Sequence, residues 1–363
     1  MAQRIVLVAG ASGFVGSAAV ERFAATGWQV IGLSRRIPRR KVPDVEYRCL
    51  DLLDGEACRE SLPDLHRITH LVYAAVNETP GDLVASWTDP MHAARNGRML
   101  ENLLDALLPA ADNLQHIALV HGTKAYATHL AKRPLVPLRE SLPRPPHDDF
   151  YFRQEDLLWS RRSGGRWSWT VFRAPMIAGG GYGSNLNALL AIGVFACLLK
   201  EQRRDLPFPG TSDNLGVMEM LDVELLARAI VWAAESASAR DQVFNIANGD
   251  AYVWPDLWPI IAAEIGIPVG APKPVSVRDA VFARSDLWRE LVRRHDLLAP
   301  EDPRVFLGES CALADFALGN CAHAVLTSTI KIRQAGFHDC VDTADSVVKW
   351  LRRWRDDRLL PPR

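Results

Sequence analysis

No segment of this sequence is apolar for long enough to cross a bilayer. The longest apolar run, residues 188–199, falls well short of the ~20 residues that a spanning helix needs. Charge of one sign is not in excess either: 42 Lys+Arg stand against 43 Asp+Glu, a net charge of −1. That balance argues against a general polyanion binder, because phosphate-backbone affinity needs surplus cations, and no nucleic-acid partner is expected. Cysteine is sparse. Cys49, Cys58, Cys197, Cys311, Cys321 and Cys340 include no C-x-x-C pair, and a chain of 363 residues can bury a core without staples. Reduced thiols and a cytoplasmic address are the expectation. The first residues run straight into a strand without a signal-peptide pattern. Internal repeats and low-complexity tracts are missing as well. His66 and His70 have an i, i+4 spacing, but they straddle a loop-to-strand junction rather than a helix face, so no metal site is expected.

What is present is ordinary globular composition, 48% hydrophobic and 23% charged, in a length that allows two domains. The strongest local signal lies at the start. Residues 5–9, Ile-Val-Leu-Val-Ala, read as a strand buried on both faces. Gly10, Ala11, Ser12, Gly13, Phe14, Val15 and Gly16 follow at once, and Val15, Ala18, Ala19 and Phe23 then recur at helical spacing until Gly27. A second strand is expected at 28–33. This strand, Gly-rich turn, helix and strand form a dinucleotide-binding fingerprint. Gly10 permits the tight turn, Gly13 lets a pyrophosphate approach the backbone, and Gly16 lets the helix pack on the strand. The helix N-terminus offers free N–H groups and a positive dipole end to the phosphates.

The end of the second strand selects the cofactor. An NAD site usually places Asp or Glu there for the ribose 2′-OH. Here Ser34, Arg35 and Arg36 stand instead, with no acidic residue before Asp44. Two guanidiniums suit a 2′-phosphate, so NADPH/NADP+ is expected. Arg39, Arg40 and Lys41 read as loop charges.

Further strands are expected at 45–49, 70–73, 114–120 and 167–172, with helices between them, notably 91–108. The alternation predicts an α/β fold: an NAD(P)-binding Rossmann domain with a doubly wound parallel sheet over residues 1–177, and a smaller substrate or lid lobe over 178–363 whose elements partly return to the sheet. Ligands collect outside the carboxyl ends of such strands. That rule points to Asp51 and Leu52, Ala74 and Ala75, His121 and Gly122, and Pro175, Met176 and Ile177 as further cofactor contacts. Residues 134–146 and 298–303 read as loops.

A Tyr-x-x-x-Lys pair, which places a phenol and an ammonium on one helix face, is absent. Four residues after Tyr151 stands Glu155. Lys124, however, lies just past the fifth strand, across from the start of the helix that carries Tyr151. A lysine from another element can exert the same electrostatic effect on the phenol.

Taken together these segments resemble the progesterone 5β-reductase/iridoid synthase-like enzymes, an atypical extended short-chain dehydrogenase/reductase group. The GASGxxG turn is Gly10 to Gly16, and the Arg-Arg pair is Arg35-Arg36. A TGxKHY-like stretch is similar to His121-Gly122-Thr123-Lys124-Ala125-Tyr126, with His121 in the threonine position. An NFYYxxED-like stretch is similar to residues 149–156, with Phe152 in place of the second tyrosine. Residues 173–179 resemble RPxxIxG, and 208–211 match FPGT. The resemblance covers most of the chain to about residue 248. It implies NADPH-dependent 1,4-reduction of an activated alkene, with Tyr151 and Lys124 as the catalytic pair and Tyr151 also beside the cofactor.

The second half is expected to shape an apolar pocket for a small hydrophobic carbonyl or enone substrate. Helix 185–199 could roof the nicotinamide or belong to the core. Asp222 reads as the cap of a helix reaching Ala234, a strand is expected at 243–247 and a helix at 254–265. Helix 343–354, with Val347, Val348, Leu351 and Trp354 on one face, packs either on the core or on a second copy of the chain, which leaves a homodimer open. Carbonyl (1,2) reduction and a non-catalytic NADPH-binding regulator are the competing functions. A sugar-nucleotide epimerase or dehydratase would need Tyr-x-x-x-Lys.

Overall fold

The computed structural model describes residues 4–38, 40–60, 62, 64–130, 134–162, 166–181, 186–210, 216–319 and 323–363. The expectations for Arg39, Tyr182, Gly183, Asn185, Thr211 and Cys321 therefore lie outside the described residues.

The strands are β1 (Ile5–Ala9), β2 (Gln29–Ser34), β3 (Glu46–Cys49), β4 (His70–Tyr73), β5 (His116–Gly122), β6 (Ser168–Ala174), β7 (Met176–Ala178), β8 (Leu206–Pro207), β9 (Met220–Asp222), β10 (Gln242–Asn245) and β11 (Val269–Gly270). Seven of them form one sheet in the order β10-β6-β5-β4-β1-β2-β3. Every neighbouring pair in it is parallel. β1, IVLVA, is buried along its whole length, as a central strand covered on both faces must be. The order reverses beside β1, with β2 on one side and β4 on the other. The crevice of a doubly wound sheet opens at that point.

β5 and β6 run two residues beyond the expected ends, because their ladder continues through His121↔Arg173 and Gly122↔Ala174. His121 and Arg173 are thus strand residues. Their side chains are held by the sheet, not by loops.

One face of the sheet packs on helices Phe14–Ala25 and Val223–Glu235 through Val20, Phe23, Leu226 and Ile230. The other packs on Pro90–Leu107 and Phe150–Arg162 through Leu100, Leu103, Leu104 and Leu158. A third core comes almost wholly from residues beyond 178 and contains the buried Trp254, Trp258, Trp288 and Trp354. Helix Ala188–Glu201 belongs to that core: all of 188–199 is buried in it. Of the described residues of this segment only Leu186, just ahead of the helix, reaches the cavity described below.

Asp222 ties helix Thr343–Asp356 to the helix that covers one face of the sheet. Its side chain caps helix Val223–Glu235 by accepting from Glu224 N at 2.8 Å. It also accepts from Ser346 Oγ, Lys349 Nζ and Trp350 Nε1 of helix Thr343–Asp356 at 2.5, 2.6 and 3.0 Å. Trp354 Nε1 donates to Gly180 O at 2.8 Å, beside the cavity. That helix therefore packs on the core of its own chain. Among the described residues no helix is long and apolar enough to cross a membrane.

Candidate active site

A cavity of about 1220 Å3 lies at the carboxyl edge of the sheet. Its floor at the switch point is the Gly-rich turn, with Gly10, Ser12, Gly13, Phe14 and Val15 on the wall. Gly10 has φ +91°, and a Cβ there would stand 2.7 Å from Ala74 C, so glycine is required on two counts. Gly13 is the N-cap of helix Phe14–Ala25 and supplies no side-chain cap. The first N–H groups of that helix are left for a ligand. Gly16 does not line the cavity: a Cβ on it would overlap the carbonyl of Gly10, so its place is helix-to-turn packing.

Ser34, Arg35 and Arg36 line the cavity at the end of β2. Ser34 Oγ donates to Arg36 O at 2.7 Å and shapes that turn. Both arginines are exposed, and among the described residues neither has an ion pair. Leu50, Leu52 and Met99 add an apolar wall. Asp51 stands outside that wall. Its Oδ1 accepts from Leu53 N at 3.0 Å, so the carboxylate serves its own turn. Ala74 and Ala75 line the cavity after β4, and Pro175, Met176 and Ile177 line it after β6. A dinucleotide fits this donor set: free helix N–H groups, unpaired guanidiniums and apolar walls in one groove.

His121, Gly122, Lys124 and Tyr151 meet on the same cavity. Lys124 sits on a 3-10 turn, Thr123–Tyr126, directly after β5. Its Nζ lies 4.9, 5.0 and 5.2 Å from the ring centroids of Trp87, Phe150 and Tyr151. Three ring faces thus surround the ammonium, a favourable arrangement for a desolvated cation. Burial pushes its pKa down, while the carboxylates of Asp149 and Glu78 pull the other way.

Tyr151 begins helix Phe150–Arg162, which Asp149 caps by accepting from Tyr151 N at 3.0 Å. Burial raises the phenol pKa well above its ordinary value, the Asp149 and Glu78 carboxylates add to that, and the Gly122 backbone N–H opposes it. Tyr151 is therefore a protonated donor across the physiological range.

Behind the phenol lies a buried polar network. The His121 ring stacks on the Tyr151 ring at 4.3 Å between centroids and 20° between planes. His121 Nε2 is 3.0 Å from Gln154 Oε1, and Nδ1 is 3.6 Å from Glu155 Oε1. Glu155 also accepts from Arg173 at 2.8 Å and Arg144 at 2.9 Å. Burial raises the Glu155 pKa, but His121 and Arg173 overcome it and hold the carboxyl at about 2. The position that carries lysine in a Tyr-x-x-x-Lys helix thus faces cations rather than supplying one.

The far end of the cavity is aromatic and apolar, with Trp87, Phe150, Met218, Trp254, Leu313 and Phe316 on its walls. Phe316, from helix Ser310–Gly319, packs edge-on against Trp87 at 5.1 Å on the wall of this end. Several residues here were not expected from the sequence. Glu78 follows β4 and stands 3.2 Å from His92 Nε2 with its side chain 6% exposed. Trp87 lies in a short irregular stretch with no periodic signal. The signal for Asp149 was its place just ahead of a helix. Lone loop residues such as Glu78 carry none.

Comparison with known proteins agrees with this architecture. The model of a PRISE-like Rossmann-fold domain matches residues 51–347. An (S)-8-oxocitronellyl enol synthase of Antirrhinum majus is 30% identical over 99% of this chain and 93% of its own. A 3-oxo-Delta(4,5)-steroid 5-beta-reductase of Arabidopsis thaliana is 27% identical over 99% of this chain and 94% of its own. Among solved structures, an epimerase from Methanothermobacter thermautotrophicus superposes with a TM-score of 0.70 at 16% identity, over 98% of this chain and 93% of that one, a likeness of fold alone. Full-length similarity to the two enzymes and the family match over 51–347 place the chain: it belongs to the PRISE-like Rossmann-fold family.

Proposed function

We propose that the protein is an NADPH-dependent reductase of C=C bonds conjugated to a carbonyl. The observation that carries the reading is the meeting of Lys124 and Tyr151, from two different elements, on the cavity that also holds the Gly-rich turn. The Arabidopsis relative is named for a 3-oxo-Delta(4,5)-steroid, whose alkene is conjugated to its ketone, and this chain matches it end to end.

The cofactor is a nicotinamide dinucleotide, with the turn at Gly10–Val15 toward its pyrophosphate and Arg35 and Arg36 toward a 2′-phosphate. When bound it supplies hydride to the alkene carbon β to the carbonyl. Electron density then moves onto the carbonyl oxygen. Tyr151 donates its O–H to that oxygen, a hydrogen bond already aimed where charge develops. Lys124 adds positive potential at the same place. The rings around its ammonium take it out of water, which strengthens its field at the phenol. At the substrate end Met218, Trp254, Leu313 and Phe316 join Trp87 and Phe150, and these apolar walls suit a hydrophobic enone or enal.

The test is consumption of NADPH with a panel of cyclic and linear enones, followed by product analysis. Saturated ketone is the expected product. Allylic alcohol would show carbonyl reduction instead, and tight NADPH binding without turnover would show a regulator.

A further inference from the structure

Tyr151 and Glu155 stand one helical turn apart on helix Phe150–Arg162 and so face the same way. The space between them is filled by one side chain from the sheet, His121. Its ring lies on the Tyr151 ring, 4.3 Å between centroids and 20° from parallel, and its edge meets Gln154 and Glu155. The histidine itself is held by its backbone and by one ring nitrogen. Its backbone is in the β5–β6 ladder, paired with Arg173. Nε2 faces Gln154 Oε1, and the amide of Gln154 is oriented because its Nε2 donates to Asn96 O at 3.2 Å. Nδ1 faces Glu155, which two arginines hold in place. Protonated at Nε2, the ring donates to Gln154 Oε1, and this bond together with the stack on Tyr151 sets the plane of the imidazole.

We propose that His121 is a positioning residue for Tyr151. It is the rigid platform that fixes the plane of the phenol ring and keeps its hydroxyl against Gly122, where a Cβ would stand 3.1 Å from that oxygen. This gives His121 a role other than contact with the cofactor. The inference rests on Tyr151 being the proton-donating phenol. A freely rotating or tilted phenol would spend less time aimed at the developing oxyanion, and misplacing a reacting group costs rate more than binding.

The experiment compares wild type, H121A, H121F, Y151F and the double variant H121A/Y151F with cyclohexenone as the probe, beside NADPH dissociation constants by fluorescence. H121A is expected to lower kcat by about ten- to a hundredfold while KM and NADPH affinity change less than about threefold. H121F keeps a flat ring under the phenol and is expected to recover most of that loss. In the Y151F background the further change H121A is expected to cost less than about twofold, because its partner's hydroxyl is already gone. An equal loss in both backgrounds overturns the inference, as does a rise in the NADPH dissociation constant with kcat intact. If H121A does not fold, H121N, which keeps a polar group but no ring, carries the same comparison in both backgrounds. Near-normal rates for Y151F, or no turnover by wild type, overturn the functional reading and this inference with it. Collapse in Y151F with full activity in H121A overturns this inference alone.

Discussion

Lys124 addresses Tyr151 from a different element: its Nζ is 5.2 Å from the centroid of the Tyr151 ring, although 27 positions of sequence separate the two. A Tyr-x-x-x-Lys helix fixes that relationship within one turn. Here strand β5 and the start of helix Phe150–Arg162 fix it through the sheet, which frees position 155 to take a carboxylate.

Replacing Tyr151 by Phe removes only the hydroxyl. Loss of an oxyanion donor costs about 2.7–4 kcal/mol of barrier, so kcat is expected to fall by roughly two to three decades. NADPH affinity should change little. Steady-state kinetics beside a binding titration checks both.

The alkaline side of the pH profile belongs to Lys124. Burial lowers its pKa from 10.5, whereas the Tyr151 phenol is raised, so the lysine loses its proton first. Activity that needs the ammonium is expected to decline with an apparent pKa below 10.5. Lys124→Met should lower the rate and abolish that limb, and Lys124→Arg should displace it upward. The sign for stability is the reverse: between the folded pKa and 10.5 the unfolded chain binds more protons, so stability rises with pH there. A limb unchanged in Lys124→Met would assign it to another group.

Cofactor preference rests on two exposed guanidiniums. A hydrogen bond to a charged group contributes about 1.5–3 kcal/mol. Arg35→Ala with Arg36→Ala is therefore expected to raise KM for NADPH by roughly one to two decades and leave KM for NADH nearly unchanged. Parallel loss with both cofactors would mean a role in folding or in pyrophosphate binding.

Glu155 couples stability to acid. Its carboxyl titrates at about 2 against 4.5 in the unfolded chain. The ionised pair is fully stabilising above about 4.5, and its contribution is lost as pH falls through about 2. Glu155→Gln leaves Arg173 buried without its anion, and breaking a buried pair costs about 3–5 kcal/mol. Denaturant midpoints between neutral and acid pH should show a lower, flatter curve for the variant.

The Gly-rich unit and the succession of strands and helices were legible because each rests on local pattern. A buried apolar strand, a glycine turn and a helical period follow one another within thirty-odd residues, and the alternation repeats. Lys124 was legible because the carboxyl edge of the sheet is a rule of the fold. Other features depend on contacts between distant segments. Helix Ala188–Glu201 is apolar all round, and periodicity alone does not separate a roof from a core. The rings of Trp87 and Phe150 reach Lys124 only once the sheet is built. Arg173 and Glu155 look like a strand-end cation and a helix-surface anion until β6 buries the pair. The bond from Leu53 N to the Asp51 carboxylate likewise belongs to a turn that only the built chain shows.

Phe316 packing on Trp87 also sets an order of events during synthesis. A chain still tethered to the ribosome at residue 300 already contains the glycine turn, Lys124 and Tyr151, yet it lacks the helix Ser310–Gly319 that walls the apolar end. The apolar end of the cavity is therefore completed last, only once the residues beyond 300 have emerged and packed.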